Sequence, residues 1–246
     1  MLKRRVLPTL LLKGPGLVKG AGFDSWRRIG SARQAVRVYE ARRVDELVLL
    51  DIAATPEGRG PDLATIADVA EDCLMPLTIG GGVRGLDDFN ALLRAGADKI
   101  AVCTAALSDP ALIQRASRKF GSQCVTVAID VKGGRVMAQC GKADTGFAPV
   151  DWAMDCERLG AGEILLSSVE RDGTMTGYDL DLIQAVSSAV SIPVIASGGA
   201  GSVADFVKAF AAGADAVAAS AIFQFTETTP MLAKRHLHDN GIAVRL

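Results

Sequence analysis

"MPLTIGGGVRGLDDFNALLRAGADKIAV" (Met75–Val102) and "IPVIASGGAGSVADFVKAFAAGADAVAA" (Ile192–Ala219) are two copies of one pattern. Pro76 pairs with Pro193, Gly82 with Gly199 and Asp98 with Asp215, each 117 positions apart. Glu46 in "DELVLLD" and Glu163 in "GEILLSS" keep the same offset. Each copy reads as an apolar run, a glycine-rich turn, a helix-period segment and a second apolar run, which is a strand–helix–strand unit repeated. Working outward, apolar runs recur at "RVLPTLLL", "ELVLLDI", "MPLTIG", "KIAVCT", "CVTVAID", "EILLSS", "IPVIAS" and "AVAAS". They are apolar on successive residues, as strands buried on both faces must be. The segments Ala32–Arg42, Leu86–Arg94 and Ala111–Phe120 between them carry helical spacing, and Ser202-x-x-Asp205 reads as a capping box. Eight strand–helix units in two related halves predict one α/β domain over residues 1–246. Its fold is a single (β/α)8 TIM barrel with half-barrels of about 1–121 and 122–246. A doubly wound open sheet is the alternative, and the repeat argues against it.

Composition narrows the function classes. The chain has 246 residues, 49% of them apolar, enough for a large core, and a formal net charge of −1. That balance speaks against a general nucleic-acid or membrane-surface partner. Five cysteines, odd in number and without a C-x-x-C pair, read as free thiols of a cytoplasmic protein. The opening "MLKRRVLPTLLLK" has too short an apolar run for a leader and is read as a buried first strand. His236 and His238 lie two apart, a spacing that points them differently on a helix, so no metal or other cofactor is expected.

Function in such a barrel sits at the C-terminal ends of the strands. Gly80-Gly81-Gly82 follows the third strand, with Thr104 after the fourth nearby. Ser197-Gly198-Gly199 follows the seventh, with Ala221 after the eighth. Two glycine turns at symmetric places predict two anion sites facing one another across the barrel mouth. A second comparison raises a question. "LPTLLLKGPGLVKG" (Leu7–Gly20) and "VAIDVKGGRVMAQ" (Val127–Gln139) both read as a strand ending in Lys-Gly-x-x-x-Val. The later copy has Asp130 two residues before its lysine, and the earlier one has Leu11 there.

The stretches "DELVLLDI", "GGGV", "GADKIAV", "FGSQ", "VAIDVK", "GAGEILLSS", "RDGTMTGYD" and "IASGGAG" together resemble the cyclase subunit of imidazole glycerol phosphate synthase, over essentially the whole chain. The resemblance implies a ribulose-phosphate-binding type of barrel that partners a glutaminase in a heterodimer. It also implies ammonia passing through the barrel interior to a phosphorylated substrate. Two carboxylates, at the ends of strands one and five, assist cyclisation in that family. By position one is Asp130 and the other is replaced by Leu11. Substrate contacts are implied at Lys19, Asp51 and Asp172. Phosphate contacts are implied at Gly81, Gly82 and Thr104, and at Gly173, Ser197, Gly198, Gly199 and Ala221. Arg5, Glu46, Lys99 and Glu163 match a charged gate for ammonia, with Asp98 on the partner-facing rim.

The segments "LLLKGPGLVK", "VDELVLLDIAATPEGRGPD" and "MPLTIGGGV" further resemble a branch of cyclase-like proteins encoded with surface-polysaccharide, including lipopolysaccharide, genes. That branch implies conversion of a sugar acetamido group to acetamidino with the same ammonia supply, on a phosphorylated or nucleotide-linked substrate. This is the leading expectation. The histidine-pathway cyclase, with Leu11 compensated by another acid, is the alternative. A non-catalytic barrel that docks and activates a glutaminase is the second alternative.

Overall fold

The computed structural model describes residues 3–246. Its strands are β1 (Arg5–Lys13), β2 (Gly16–Ala21), β3 (Asp24–Gly30), β4 (Leu47–Asp51), β5 (Leu77–Gly80), β6 (Lys99–Val102), β7 (Val125–Lys132), β8 (Arg135–Ala138), β9 (Ala143–Asp144), β10 (Glu163–Ser168), β11 (Val194–Ser197) and β12 (Ala216–Ala219). Eight of these pair in parallel around a closed ring, β1-β4-β5-β6-β7-β10-β11-β12 and back to β1. The fold is a (β/α)8 barrel, and all eight apolar runs are barrel strands.

The repeat is visible in the hydrogen bonds. Leu47 N–H donates to Pro76 O, and 117 residues on, Ile164 N–H donates to Pro193 O, both at 2.9 Å. Asp98 N–H reaches Leu77 O while its carboxylate accepts from Leu77 N–H at 2.8 Å. Asp215 does the same with Val194, at 2.9 and 3.1 Å. The Gly-Ala-Asp signature is therefore a clamp on the N-terminal end of the preceding barrel strand. It satisfies backbone groups that the barrel bottom would otherwise leave open.

Helices cover the outside of the ring. Ala32–Ala41 buries Val36 and Tyr39, and Leu86–Arg94 buries Phe89 and Leu92, each on one face. Val203–Ala211 begins with the expected box, Ser202 and Asp205 capping each other. Most of the core lies between ring and helices. A second, smaller cluster fills the lumen: Leu7, Val48, Ala128, Leu165, Ile195, Ala216 and Ala218. Barrel interiors usually hold bulky branched residues; three of these seven are alanines, Ala216 in register with Arg5 and Ala218 with Leu7 on β1, and Ala128 on β7.

Two antiparallel additions were not foreseen. β1 runs straight into the β2–β3 hairpin, and β7 into β8 and β9. Both rise from the mouth and wall it on two sides. Among the described residues no helix is long and apolar enough to cross a membrane.

Candidate active site

The two ends of the lumen differ. At the bottom, Arg5, Glu46, Lys99 and Glu163 close into a ring of alternating charge. Arg5 donates to Glu46 at 2.6 Å and to Glu163 at 2.9 Å; Lys99 donates to Glu46 at 2.9 Å and to Glu163 at 2.8 Å. Thr78 and Thr126 add hydroxyl donors to the two glutamates, at 2.7 and 3.2 Å. Burial alone would raise the Glu163 carboxyl, but Arg5 and Lys99 hold it below the usual carboxylate range. The glutamates are buried, and the two cations remain partly exposed toward the outside. Asp98 is exposed beside this ring, with its carboxylate engaged in the strand clamp described above.

At the top, a mouth enclosing about 1200 Å³, open space included, is lined by Asp130, Leu11, Asp51, Asp172, both glycine turns and the tip of the β2–β3 hairpin. The arrangement brings together every residue expected at the strand ends. Asp130 lies in an apolar setting. Burial, and then the negative charge of Asp172, raise its carboxyl from 3.8 to about 7, while a Cys103 thiol contact at 3.9 Å opposes this weakly. A carboxyl near 7 both gives and takes a proton at neutral pH. Leu11 lies at the corresponding depth on β1: Leu11 pairs with Val18 of its hairpin as Asp130 pairs with Met137 of the other. It is 7% exposed and offers the mouth only hydrocarbon.

The other acids are engaged. Asp51 receives Arg59 at 2.7 and 3.0 Å and the N–H groups of Ala53 and Ala54. Lys19 stands in strand β2, 1% exposed, with its Nζ on both oxygens of Asp172 at 2.9 and 2.7 Å. The ion pair and a Gly22 N–H to Asp172 O bond at 2.8 Å fasten the hairpin across the mouth. Phe23 and Trp26 of that hairpin line the cavity. Phe23 holds φ 59° and Cys140, on the opposite wall, φ 58°, left-handed conformations that cost side-chain-bearing residues about 1–3 kcal/mol and gather at functional sites.

The glycines have a double reason. A Cβ at Gly81 would lie 2.1 Å from Asp51 O, and one at Gly199 the same distance from Gly177 O. Neither position tolerates a side chain. No hydrogen bond among the described residues uses the N–H of Gly82 or Gly199, which leaves these donors for an anion at the mouth. Gly173, Ser197 and Gly198 stand beside Gly199, and Thr104 beside the Gly81–Gly82 turn side of the mouth. Thr104 also receives Gln139 N–H on its hydroxyl. The sequence places Ala219-Ser220-Ala221 near the second glycine turn but gives Ser220 no role. Its buried hydroxyl has no partner among the described residues and lines the mouth just before Ala221. Only its place after the last barrel strand hinted at it.

A family model described as "Histidine biosynthesis protein" matches residues 5–229. The chain is 49% identical over its full length to the imidazole glycerol phosphate synthase subunit HisF of Hyphomonas neptunium, covering 99% of that protein. The HisF subunit of Dictyoglomus thermophilum is 44% identical, with both chains fully covered. That of Pyrobaculum aerophilum is 46% identical over 98% of each. The chain belongs to the HisF family. It is an enzyme subunit of the synthase type, and the cyclase resemblance holds along its whole length. The surface-polysaccharide branch gains nothing from these relatives, all of which carry the histidine-pathway name.

Proposed function

We propose that this chain is the ammonia-using synthase subunit of a glutamine-dependent complex, in which a glutaminase docks at the bottom of the barrel and the acceptor binds at its mouth. One observation carries the reading. A closed ring of four charges seals one end of an alanine-lined lumen, and the other end opens on a carboxyl poised near neutrality. Ammonia entering past the ring would be sheltered from bulk water until it reaches the acceptor. Asp130 takes a proton from the attacking nitrogen and returns one to the departing oxygen. Two glycine turns with free N–H groups suit an acceptor anchored by phosphate. Five free cysteines suit a reducing cytoplasm.

For the acceptor, the relatives' names favour the ribonucleotide that yields imidazole glycerol phosphate. Under this reading Asp172 supplies the second acid. A substrate phosphate that draws Lys19 away leaves the Asp172 carboxylate free beside Asp130, whose proton affinity it already influences. The acetamido-sugar reading keeps one specific observation, the apolar wall at Leu11, where a two-acid cyclisation needs a titratable group. In that reaction ammonia adds to the amide carbon, and water leaves with the former amide oxygen, giving the acetamidino group. A barrel that only docks a glutaminase has no use for Asp130 at such proton affinity. The deciding experiment is turnover of both acceptors with ammonium salt, read by mass spectrometry. Imidazole glycerol phosphate formed at the rate of an authentic HisF establishes the first acceptor. Amidine product alone establishes the second. Failure of both, with glutaminase stimulated all the same, leaves the docking role. Sulfate or phosphate that fills neither glycine turn in soaked crystals would remove the phosphate-anchor part of the proposal.

A further inference from the structure

Alternate residues of β1 face the lumen. Arg5 enters the charged ring, Leu7 the apolar layer above it, Thr9 the next level, and Leu11 the mouth. At a strand rise of about 3.3 Å per residue, Thr9 stands roughly 13 Å above Arg5 and roughly 7 Å below Leu11. Thr9 is 7% exposed, and its Oγ1 has no hydrogen-bond partner among the described residues. The other two threonine hydroxyls of the lumen, on Thr78 and Thr126, are both spent on the ring glutamates. Around Thr9 the lumen is hydrocarbon: Leu7 below, Val48 and Ala218 in the neighbouring strands β4 and β12, and Ala128 across the lumen on β7.

A buried hydroxyl without a partner forfeits its hydration and gains nothing in return, and valine has the same shape without that cost. The position therefore points to a guest. The guest is small, because it shares a barrel interior with seven apolar side chains. It is uncharged, because this level holds no counter-ion and isolated charge is strongly disfavoured in such surroundings. It both accepts and donates hydrogen bonds, as a hydroxyl does. Ammonia meets all three conditions.

Resting on the passage proposed above, we infer that Thr9 is the contact at which ammonia pauses between the charged ring and Asp130. Its O–H donates to the nitrogen and its Oγ1 accepts an N–H. Ser167, buried at the mouth and in register with Asp130 on the next strand, is the following polar group on the way up. Thr9 holds the nitrogen in the lumen long enough for the acceptor to take it, so its loss shows as leakage.

The test uses the complete complex of this chain with its glutaminase, and measures glutamate released per aminated product in wild type, Thr9→Val, Thr9→Ser and Lys99→Ala. The expected result is about three- to tenfold more glutamate per product for Thr9→Val, a ratio within about twofold of wild type for Thr9→Ser, and a melting temperature for Thr9→Val no lower than wild type. Thr9→Val with wild-type coupling beside an uncoupled Lys99→Ala overturns the assignment of Thr9, leaves the passage standing, and reduces the hydroxyl to a water site. Wild-type coupling in both variants overturns the passage itself and Thr9 with it. A lower melting temperature or misfolding of Thr9→Val means the hydroxyl has a structural partner, and that also overturns the inference.

Discussion

Replacing Asp130 by asparagine should make the protein more stable and less active at the same time. The carboxyl is raised from 3.8 to about 7 chiefly by burial. At 1.36 kcal/mol per pKa unit, the ionised form costs the folded state about 4 kcal/mol at pH 8. Asp130 opens onto the mouth and is only part-buried by surface, so solvent screening brings the expected figure to about 2 kcal/mol. The sign follows from linkage: a carboxyl with a raised folded-state pKa lowers stability as pH climbs from about 4 to about 7, and the cost is constant above that. Asparagine has the same shape and no charge. For a chain of this size, 2 kcal/mol corresponds to about 4–8 °C in melting temperature at pH 8, and the gain should shrink steadily as pH falls to 4.5. Ammonium-driven turnover should fall by about 10²–10⁴, the usual worth of a positioned acid–base group, and the wild-type inflection near pH 7 should vanish from the rate profile. Calorimetry at the two pH values and steady-state assays read both effects. An equal stability gain at pH 8 and pH 4.5 would refute the burial argument. A loss of less than tenfold in turnover would refute the acid–base role.

Lys99→Ala should cut glutamine-driven amination at least tenfold and cost about 3 kcal/mol of stability, because Glu46 and Glu163 then share only Arg5; equal loss with glutamine and with added ammonium would remove the gate. Leu11→Asp should raise imidazole glycerol phosphate formation at least tenfold if that is the acceptor and a second acid is what the site lacks, as read by product mass, and should leave amidine formation no faster. Gly199→Ala should destabilise by about 2 kcal/mol or more, since its φ of 109° and a Cβ 2.1 Å from Gly177 O are both unfavourable, and crystals should then lose sulfate at that turn while keeping it near Gly82.

The barrel was legible because its signals are local and doubled. Eight apolar runs follow from burial on both faces, and the 117-residue repeat maps onto identical clamps at Asp98 and Asp215. The charged ring was legible only through the cyclase resemblance, and its four residues, costly at the start of barrel strands without partners, do pair with one another. What escaped was set by long-range contact. Lys19 reads as a loop lysine in "GPGLVKG", and nothing near it in sequence announces Asp172, 153 residues away. The β2–β3 hairpin was hidden because its turn, Gly22-Phe23, puts an aromatic residue where asparagine or glycine is the usual signal. Ser220 carries no spacing pattern, and its importance lies wholly in having no partner.

These misses bear on the question raised by Leu11. Read from sequence, the mouth has one acid where two are wanted, with Asp51 and Asp172 as spare carboxylates. The geometry separates the two. Asp51 is held by a guanidinium and two backbone N–H groups, and freeing it would break four hydrogen bonds. Asp172 is held by a single ammonium on a strand that belongs to the hairpin, an ammonium for which the phosphate of the proposed acceptor would compete. Under the proposed function, Lys19 and Asp172 form a latch that a phosphorylated acceptor opens. Lys19→Met distinguishes the consequences. If Asp172 is the missing acid, the variant keeps an uncompensated Asp172 carboxylate, pushes Asp130 to still higher proton affinity, and shifts the inflection in the ammonium-driven rate to higher pH. If Asp172 serves only to hold the hairpin, the same shift appears but kcat at its optimum is unchanged and the acceptor KM rises alone, whereas an acid role changes kcat as well. A shift to lower pH contradicts both, because removing a cation from beside two carboxylates can only favour their protonated forms.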